Sequence, residues 1–349
     1  CLMAALGCYA YFPAVSGSEL QKPKKATEIL EQAVRYTVKV KAVIEYPSIH
    51  DSRGVFTGAG FLINKKKGWV VTNAHVIGRI PGNLRIKFKG NNYVASKALY
   101  IDSFLDFAIV KLPLDSIPKN AVAAKIDCNS KLKLGSSVAA FGHPRGLDFT
   151  GTRGIISGNK YKWSRNWIQT DAAINSGNSG GPLIHLGDGS VVGLNTAKLK
   201  NKSSEGLGFA IPASEFCPII AQLNQSSDPN PPIIPVSLSL DHEKETGLNV
   251  MHVFQDLGVR WPLKEGDKLI SLDNPNKKME LRTPADLTTG LRLSSSGLST
   301  LIIDRQTKRQ KIKIQIVRWE PVLNQNYLYF TGMVIGQRSL IDDEINNPN

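Results

Sequence analysis

The sequence predicts a mainly β protein with about two domains. Between about residues 38 and 211, short runs rich in β-branched and aromatic residues alternate with glycine-containing turns, which is typical of a β-barrel or sandwich. A polar, proline-rich stretch at residues 225–232 cannot pack a core and is typical of a linker. A smaller pattern of mixed strands and one helix follows it. These observations predict a β-barrel domain joined to an α+β module.

The composition excludes several classes of protein. The chain has 349 residues, 42% hydrophobic and 21% charged, so it is neither disordered nor collagen-like. Its four cysteines form no CxxC pair and stand near no histidine cluster, so zinc and thioredoxin-like sites lose support and no disulfide framework is expected. The net charge of +14 favours anionic surfaces in general, and a peripheral membrane contact is possible on this ground. Lysine runs are usually solvated faces, however, and we expect no specific nucleic-acid partner.

The N-terminal segment is unlike the rest of the chain. Residues 1–15 are almost wholly apolar or small, and the small residues at 14–18 resemble a signal-peptide cleavage site. We therefore interpret residues 1–23 as a signal-like or anchoring segment of an exported protein. The alternative is a disordered or docked N-terminal arm. Next comes a predicted helix from Ala26 to Tyr36, with Ile29, Ala33 and Tyr36 on one face.

The predicted first domain covers residues 24–224. Its strands are expected at Val38–Glu45, Gly58–Ile63, Trp69–Thr72, Leu84–Phe88, Phe107–Leu112, Ser137–Gly142, Trp167–Thr170 and Val191–Asn195. A linker at residues 225–235 separates it from a second domain at residues 236–320. There we expect strands at Val236–Leu240, Leu248–Phe254, Ser299–Asp304 and Lys311–Val317, and a helix at Pro284–Leu293 capped by Thr283. Residues 321–349 form a C-terminal extension, with the start of a further small element within it.

The most informative stretch for chemistry is Asn175–Pro182. Ser179 lies there among Gly177, Gly180 and Gly181, where the backbone can turn tightly and point several N–H groups into one small space. Ser179 is the candidate nucleophile. The backbone N–H groups of Gly177 and Ser179, with that of Asn178, are the candidate oxyanion donors. The alternative is a loop without chemical consequence.

A serine hydroxyl needs a base to remove its proton. His75 ends a strand-like run and can face a cleft, so it is the candidate base. His143 lies in a loop beside a proline, where a structural role is expected. The remaining histidines are expected at the surface or in packing: His50, His185, His242 and His252.

The base in turn needs a carboxylate to orient it. Asp106 begins an alternating run that fixes a polar residue at the mouth of a buried strand. Asp102 precedes no such run and is expected to be exposed, whereas Asp171 is expected to brace the nucleophile loop. The candidates follow the order His75, Asp106, Ser179, which is the order of the chymotrypsin-like peptidases.

Several blocks carry a more specific resemblance. They are Thr72–His75, Asp106–Leu112, Ala140–Leu147, Gly154–Ser157, Thr170–Pro182 and Gly206–Pro212. Together they resemble the HtrA/Deg family of trypsin-like serine proteases, in that family's order. The resemblance implies a chymotrypsin-like double β-barrel followed by one or two PDZ domains. The blocks Gly247–Phe254, Leu263–Ile270 and Thr283–Leu287 resemble a PDZ domain of the family.

The resemblance also implies an activity. A member of this family would be a serine endopeptidase that degrades unfolded or damaged proteins in quality control, without a cofactor. Ala173 and Ile174 would line the primary specificity pocket, and Asn195, Thr196 and Ala197 would pair with the substrate backbone. An uncharged pocket predicts cleavage after small or medium apolar residues. A homotrimer, or a multiple of it, and a periplasmic or cell-envelope location are also expected.

Two departures from the family pattern stand out. His143 and Arg145 replace an asparagine and an aromatic residue in a loop that switches between active and inactive forms in the family. The segment Val259–Leu263 replaces an Ala-Gly-Leu pattern in the PDZ-like region, so that its peptide groove is expected to differ. The alternative function is a noncatalytic chaperone or PDZ scaffold.

Overall fold

A computed structural model describes residues 26–47, 51–80, 82–162, 165–198, 207–240, 247–274, 277–294, 297–326, 328–330 and 333–335. The signal-like segment at residues 1–23 lies outside the described residues, as do His50 and His242. Among the described residues, none of the helices has the length and apolar character needed to cross a membrane.

The first six strands form a closed barrel, preceded by helix α1 (Ala26–Val34). The strands are β1 (Thr37–Ile44), β2 (Gly54–Asn64), β3 (Trp69–Thr72), β4 (Asn83–Lys87), β5 (Val94–Asp102) and β6 (Phe107–Lys111), in the order β1-β2-β3-β6-β5-β4. The short helix α2 (Ala74–Ile77) follows β3 directly. In β1, the buried Val38 and Val40 alternate with the more exposed Lys39 and Lys41, which is the period of a strand with one face in the core.

The next six strands close a second barrel. They are β7 (Ser137–Gly142), β8 (Thr150–Lys162), β9 (Arg165–Thr170), β10 (Pro182–His185), β11 (Val191–Lys198) and β12 (Gly208–Pro212), in the order β10-β11-β12-β9-β8-β7. Helix α3 (Ala213–Asn224) follows. The two six-stranded barrels confirm the predicted chymotrypsin-like double barrel. The sequence analysis did not predict β5, β8, β10 or β12. In β5 and β8, exposed polar residues interrupt the apolar positions.

Helix α3 belongs to the core of the first barrel as much as to the second. The Phe216 ring is fully buried and stacks on Phe107 of β6, with the ring centroids 5.4 Å apart. The next residue, Cys217, forms a disulfide with Cys128, which lies 89 residues earlier. This bridge was not expected from the sequence analysis, because spacing along the chain does not show which cysteines meet in space. Cys1 and Cys8 lie outside the described residues.

A third sheet follows the linker region. Its strands are β13 (Val236–Leu240), β14 (Leu248–Val253), β15 (Lys268–Asn274), β16 (Lys277–Glu280), β17 (Leu298–Arg305) and β18 (Lys308–Gln315), and helix α4 spans Pro284–Leu293. The strand order is β13-β14-β15-β17-β18, with β16 paired to β15. Thr283 caps α4 in a capping box with Asp286, which confirms the predicted helix start. Strands β19 (Leu328–Phe330) and β20 (Met333–Ile335) form a small hairpin.

A buried ion pair joins helix α4, beside the third sheet, to the first barrel. Arg292, near the end of α4, contacts the carboxylate of Asp102 at the end of β5, and the two residues are only 3% and 1% exposed. The Arg292 guanidinium also donates to the Pro229 carbonyl oxygen in the linker region. The prediction that Asp102 is exposed is therefore wrong. Its partner lies 190 residues away along the chain, where no local pattern could indicate it.

Candidate active site

His75 and Asp106 meet at the end of the first barrel. His75 lies on α2, and its Nδ1 is 2.7 Å from Asp106 Oδ2, while its backbone N–H donates to Asp106 Oδ1 at 2.9 Å. The backbone of Asp106 has φ of +57°, which aspartate tolerates better than most residues. Since a carboxylate only accepts, Nδ1 carries the proton, and Nε2 is left with a free electron pair.

The pair also sets the protonation of both groups. Burial of the His75 ring favours its neutral form, but the Asp106 carboxylate outweighs this effect and raises the pKa of His75 above 6.5. Burial alone would raise the pKa of Asp106, but the charge and hydrogen bonds of His75 lower it below 3.8. Asp106 therefore stays ionised where His75 works as a base.

Backbone hydrogen bonds fix the Ser179 loop between the barrels. The Ala59 N–H donates to the Ser179 carbonyl oxygen at 2.8 Å, and the Gly180 N–H donates to the Asn195 carbonyl oxygen at 2.9 Å. Gly180 has φ of +84°, and a Cβ there would lie 2.1 Å from the Ala59 carbonyl oxygen. Only glycine fits this close approach, which explains the glycine directly after the serine.

Asn73 links the two halves of the site. Its amide nitrogen donates to the Asp106 carbonyl oxygen and to Thr196 Oγ1, both at 2.9 Å. The Thr196 carbonyl oxygen accepts the hydroxyl of Ser179 at 3.0 Å. Within the described residues, no hydrogen bond joins Ser179 to His75. The linking role of Asn73 was missed in the sequence, although its place two residues before His75 was a usable signal.

The geometry supports two of the three predicted oxyanion donors. The N–H groups of Gly177 and Ser179 donate to no acceptor among the described residues. The Asn178 N–H, in contrast, donates to the Asn175 carbonyl oxygen at 2.9 Å. Asn178 is therefore corrected from a donor to a brace, because its N–H is already used. Its side-chain amide donates to the Ala173 carbonyl oxygen at 3.1 Å.

The predicted substrate-binding residues lie beside this loop. Ala173 is exposed, whereas Ile174 is buried and packs against Gly208 of β12. The β11–β12 ladder shifts register between Asn195 and Ala197, so Thr196 lies at an irregularity in β11. The Asn195 N–H donates to the Gly181 carbonyl oxygen at 2.9 Å. The Asn195 carbonyl oxygen also accepts the Gly180 N–H, so both backbone groups of Asn195 have partners within the protein. Asn195 therefore supports the loop, which corrects the prediction that it pairs with the substrate backbone.

The other predicted residues lie outside this constellation. Asp171 accepts a hydrogen bond from the Ile155 N–H of β8 at 2.7 Å, which ties the segment before the Ser179 loop to that strand. His185 and His252 lie at the surface on carboxylate partners, as predicted. His143 is fully buried. Across the described part of the chain, histidine, cysteine and acidic residues form no group of three or more that could hold a metal ion.

The sequence comparisons agree with the double-barrel fold: residues 58–194 match the trypsin-like peptidase domain. The chain is homologous to the HtrA and DegP serine proteases. It is 36% identical over 201 residues to the serine protease Do-like HtrA of Bacillus subtilis, an alignment that covers 54% of this chain and 43% of the relative. It is also 36% identical over 172 residues to the periplasmic serine endoprotease DegP of Salmonella typhimurium, covering 48% and 35%.

Solved structures extend the likeness of fold. The HtrA-type protease AlgW with a tripeptide matches 85% of this chain and 98% of its own, with a TM-score of 0.68 and 21% identity. A serine endoprotease from Yersinia pestis matches 86% and 100%, with a TM-score of 0.61 and 24% identity. The structural likeness therefore includes the third sheet as well as the double barrel. The chain spans less than half the length of the two relatives matched by sequence.

Proposed function

We propose that this protein is a serine endopeptidase of the HtrA/Deg type, with Ser179 as nucleophile, His75 as base and Asp106 as the residue that orients it. One observation carries the proposal: the ordered His75–Asp106 pair of the first barrel is linked through Asn73 and Thr196 to the hydroxyl of Ser179. The homology to HtrA and DegP proteases supports the same reading.

The reaction begins with a change in the Ser179 rotamer. Its hydroxyl now donates to the Thr196 carbonyl oxygen and must turn toward Nε2 of His75 before attack. Such looseness is common in peptidases without substrate. The turn also frees the Thr196 carbonyl oxygen, which then accepts an N–H of the substrate backbone.

Acyl transfer follows the usual proton path. His75 takes the proton of Ser179 as the oxygen attacks the peptide carbonyl carbon, and the N–H groups of Gly177 and Ser179 stabilise the oxyanion. His75 then gives this proton to the leaving amine, and water hydrolyses the acyl-enzyme by the same route. Asp106 stays ionised and stabilises the protonated His75 in both halves.

The substrate class follows from the pocket. No charged side chain stands at Ala173 or Ile174, so cleavage is expected after valine, alanine, isoleucine or similar residues. Unfolded or damaged polypeptides are the proposed substrates, because their chains can enter the cleft in extended form. No cofactor takes part in this chemistry.

The wider organisation is part of the proposal. Residues 24–224 would form the peptidase domain, residues 225–235 the linker and residues 236–320 a PDZ-like domain. The third sheet, with α4 against it, supports the PDZ-like assignment. We also propose a homotrimer or a multiple of it, in the periplasm or cell envelope. Light scattering at micromolar concentration tests the assembly, and a strict monomer would contradict it.

Labelling with a fluorophosphonate tests the peptidase directly, because the probe needs the nucleophile, the base and the oxyanion donors together. We expect wild-type protein to react at Ser179 and to cleave reduced, unfolded casein, with no labelling of Ser179→Ala. Mapping the cleavage sites tests the pocket, and a map dominated by lysine and arginine would contradict it. A wild type that neither reacts nor cleaves would favour a noncatalytic chaperone or scaffold.

A further inference from the structure

His143 occupies an unusual place between the two barrels. Its side chain is fully buried at the end of β7, and both ring nitrogens have backbone partners. Nε2 lies 3.1 Å from the Val38 carbonyl oxygen of β1, and Nδ1 lies 3.1 Å from the Phe149 backbone nitrogen. The Phe149 ring also packs edge-on against the imidazole, with the ring centroids 4.7 Å apart. The histidine thus holds its own loop against the first barrel.

The chemistry of these partners fixes the form of the ring. A carbonyl oxygen can only accept, so Nε2 carries a proton, and an amide N–H can only donate, so Nδ1 has none. Only a neutral ring with its proton on Nε2 satisfies both. Burial favours the same form and lowers the pKa of His143 to about 4. Asp148, 3.8 Å from Nδ1, would favour the charged ring, but Lys39 and Lys87 surround that carboxylate.

The backbone of His143 reaches the nucleophile loop. Its N–H donates to the Gly177 carbonyl oxygen at 3.1 Å. Gly177 has φ of +101°, and a Cβ there would lie 2.1 Å from the His143 carbonyl oxygen, so the two backbones are in direct contact. The position of His143 therefore determines the conformation of Gly177, whose own N–H is a proposed oxyanion donor.

We propose that His143 is a positioning residue for the oxyanion hole: its neutral ring clamps the 143–149 loop between β1 and Phe149, and its backbone N–H holds Gly177 in the conformation that aims its N–H at the oxyanion. This inference rests on the proposed peptidase function. It predicts that the histidine acts on the transition state more than on substrate binding, because the oxyanion exists only there.

The test compares His143→Ala, His143→Asn and His143→Gln with wild type, and uses His185→Ala as a matched surface control. For His143→Ala, we expect kcat to fall about ten- to a hundredfold, with KM changed less than about twofold. The inhibition constant of a peptide boronic acid, whose adduct places an oxygen in the oxyanion hole, should rise in parallel. His143→Asn should recover part of both losses, because its amide oxygen can take the place of Nδ1. His185→Ala should match wild type.

The possible outcomes can be told apart. A wild type that binds neither the boronate nor a fluorophosphonate would defeat the proposed function before any variant is compared. A reactive wild type with kcat and boronate inhibition unchanged in His143→Ala, well below its Tm, would overturn this inference alone. If His143→Ala does not fold, the same two measurements on the asparagine and glutamine variants decide, since each keeps only one ring contact. Nitrogen-15 NMR of the wild type should show His143 neutral at pH 7, and a doubly protonated ring there would also overturn it.

Discussion

Asp102 ends β5 and Asp106 directly precedes β6, but the two carboxylates lie at different interfaces of the molecule. Asp106 faces the cleft between the barrels and holds His75. Asp102 faces the third sheet and holds Arg292, while its other oxygen accepts the Leu105 N–H at 2.8 Å. Both carboxylates are buried, at 6% and 1% exposure. Burial alone therefore does not distinguish a chemical site from a structural one.

The partner makes the difference. Histidine can lose its proton near neutral pH, so the Asp106 pair can take up and release a proton during a reaction. Arginine cannot. Burial opposes the charge of Arg292, but the Asp102 carboxylate outweighs burial and raises the pKa of the guanidinium above its ordinary value. The Asp102 pair can only hold its two elements together. Changes to the Asp106–His75 pair should alter the reaction rate, and changes to the Asp102–Arg292 pair should alter the free energy of unfolding.

The largest effect is expected from Ser179→Ala. Because base and oxyanion donors cannot act without the nucleophile, turnover of casein should fall about a millionfold. The free energy of unfolding should stay within about 0.5 kcal/mol, since one hydroxyl is removed from a partly exposed site. Casein assays and thermal melts measure the two. Substantial cleavage by purified Ser179→Ala would contradict the assignment of Ser179 as the nucleophile.

Asp106→Asn should lower kcat by about ten-thousandfold, because the amide no longer fixes the tautomer of His75. In wild type, kcat/KM should decline as the pH falls through a His75 pKa above 6.5, since only the neutral ring is a base. The residual activity of Asp106→Asn should decline at a lower pH, because the carboxylate that raises this pKa is gone. A pH series on both proteins checks the shift. Asp171→Asn is the matched control, and an equal shift there would contradict the assignment.

Arg292→Met should weaken the contact between α4 and the end of β5. It leaves the Asp102 carboxylate buried without its cation, which typically costs about 3–5 kcal/mol of unfolding free energy. The double variant Asp102→Asn with Arg292→Met should regain much of that loss, because the amide oxygen still accepts the Leu105 N–H without a charge. Urea denaturation measures all three proteins, with the exposed Arg282→Met as control. No recovery in the double variant would contradict the charge argument.

Removing the disulfide should have the smallest of these effects. Replacing Cys128 and Cys217 with serine should lower the free energy of unfolding by about 2–4 kcal/mol, because a long loop of the unfolded chain is no longer closed. Cys217 lies on α3, which also contacts α4 through a hydrogen bond from Thr289 to Glu215. The double variant should therefore be less stable, but its kcat should be nearly unchanged at temperatures below its unfolding transition. A large fall in kcat would show that α3 also supports the arrangement of His75, Asp106 and Ser179.

The sequence was sufficient for features that local residue patterns mark, including two patterns 31 residues apart at His75 and Asp106. The cap at Thr283, the bounds of β3 and the contact between His75 and Asp106 agree with the structure. Two of the failures share one cause, which is distance along the chain. The partner of Asp102 and the bridge between Cys128 and Cys217 depend on segments about 90 to 190 residues apart. Asn178 is a different case, because its N–H is consumed by a tight turn that residue types alone did not reveal.

The stacking of Phe216 on Phe107 affects how the chain can fold during its synthesis. Once residue 112 has left the ribosome, every strand of the first barrel has emerged. The fully buried ring of Phe216, which belongs to the core of that barrel, has not yet been synthesised. About a hundred more residues must emerge before α3 can close it. Until then the nascent barrel exposes part of its interior, and the cleft between the barrels cannot be completed. A double-barrel domain built this way cannot bring His75, Asp106 and Ser179 together until nearly the whole domain has emerged.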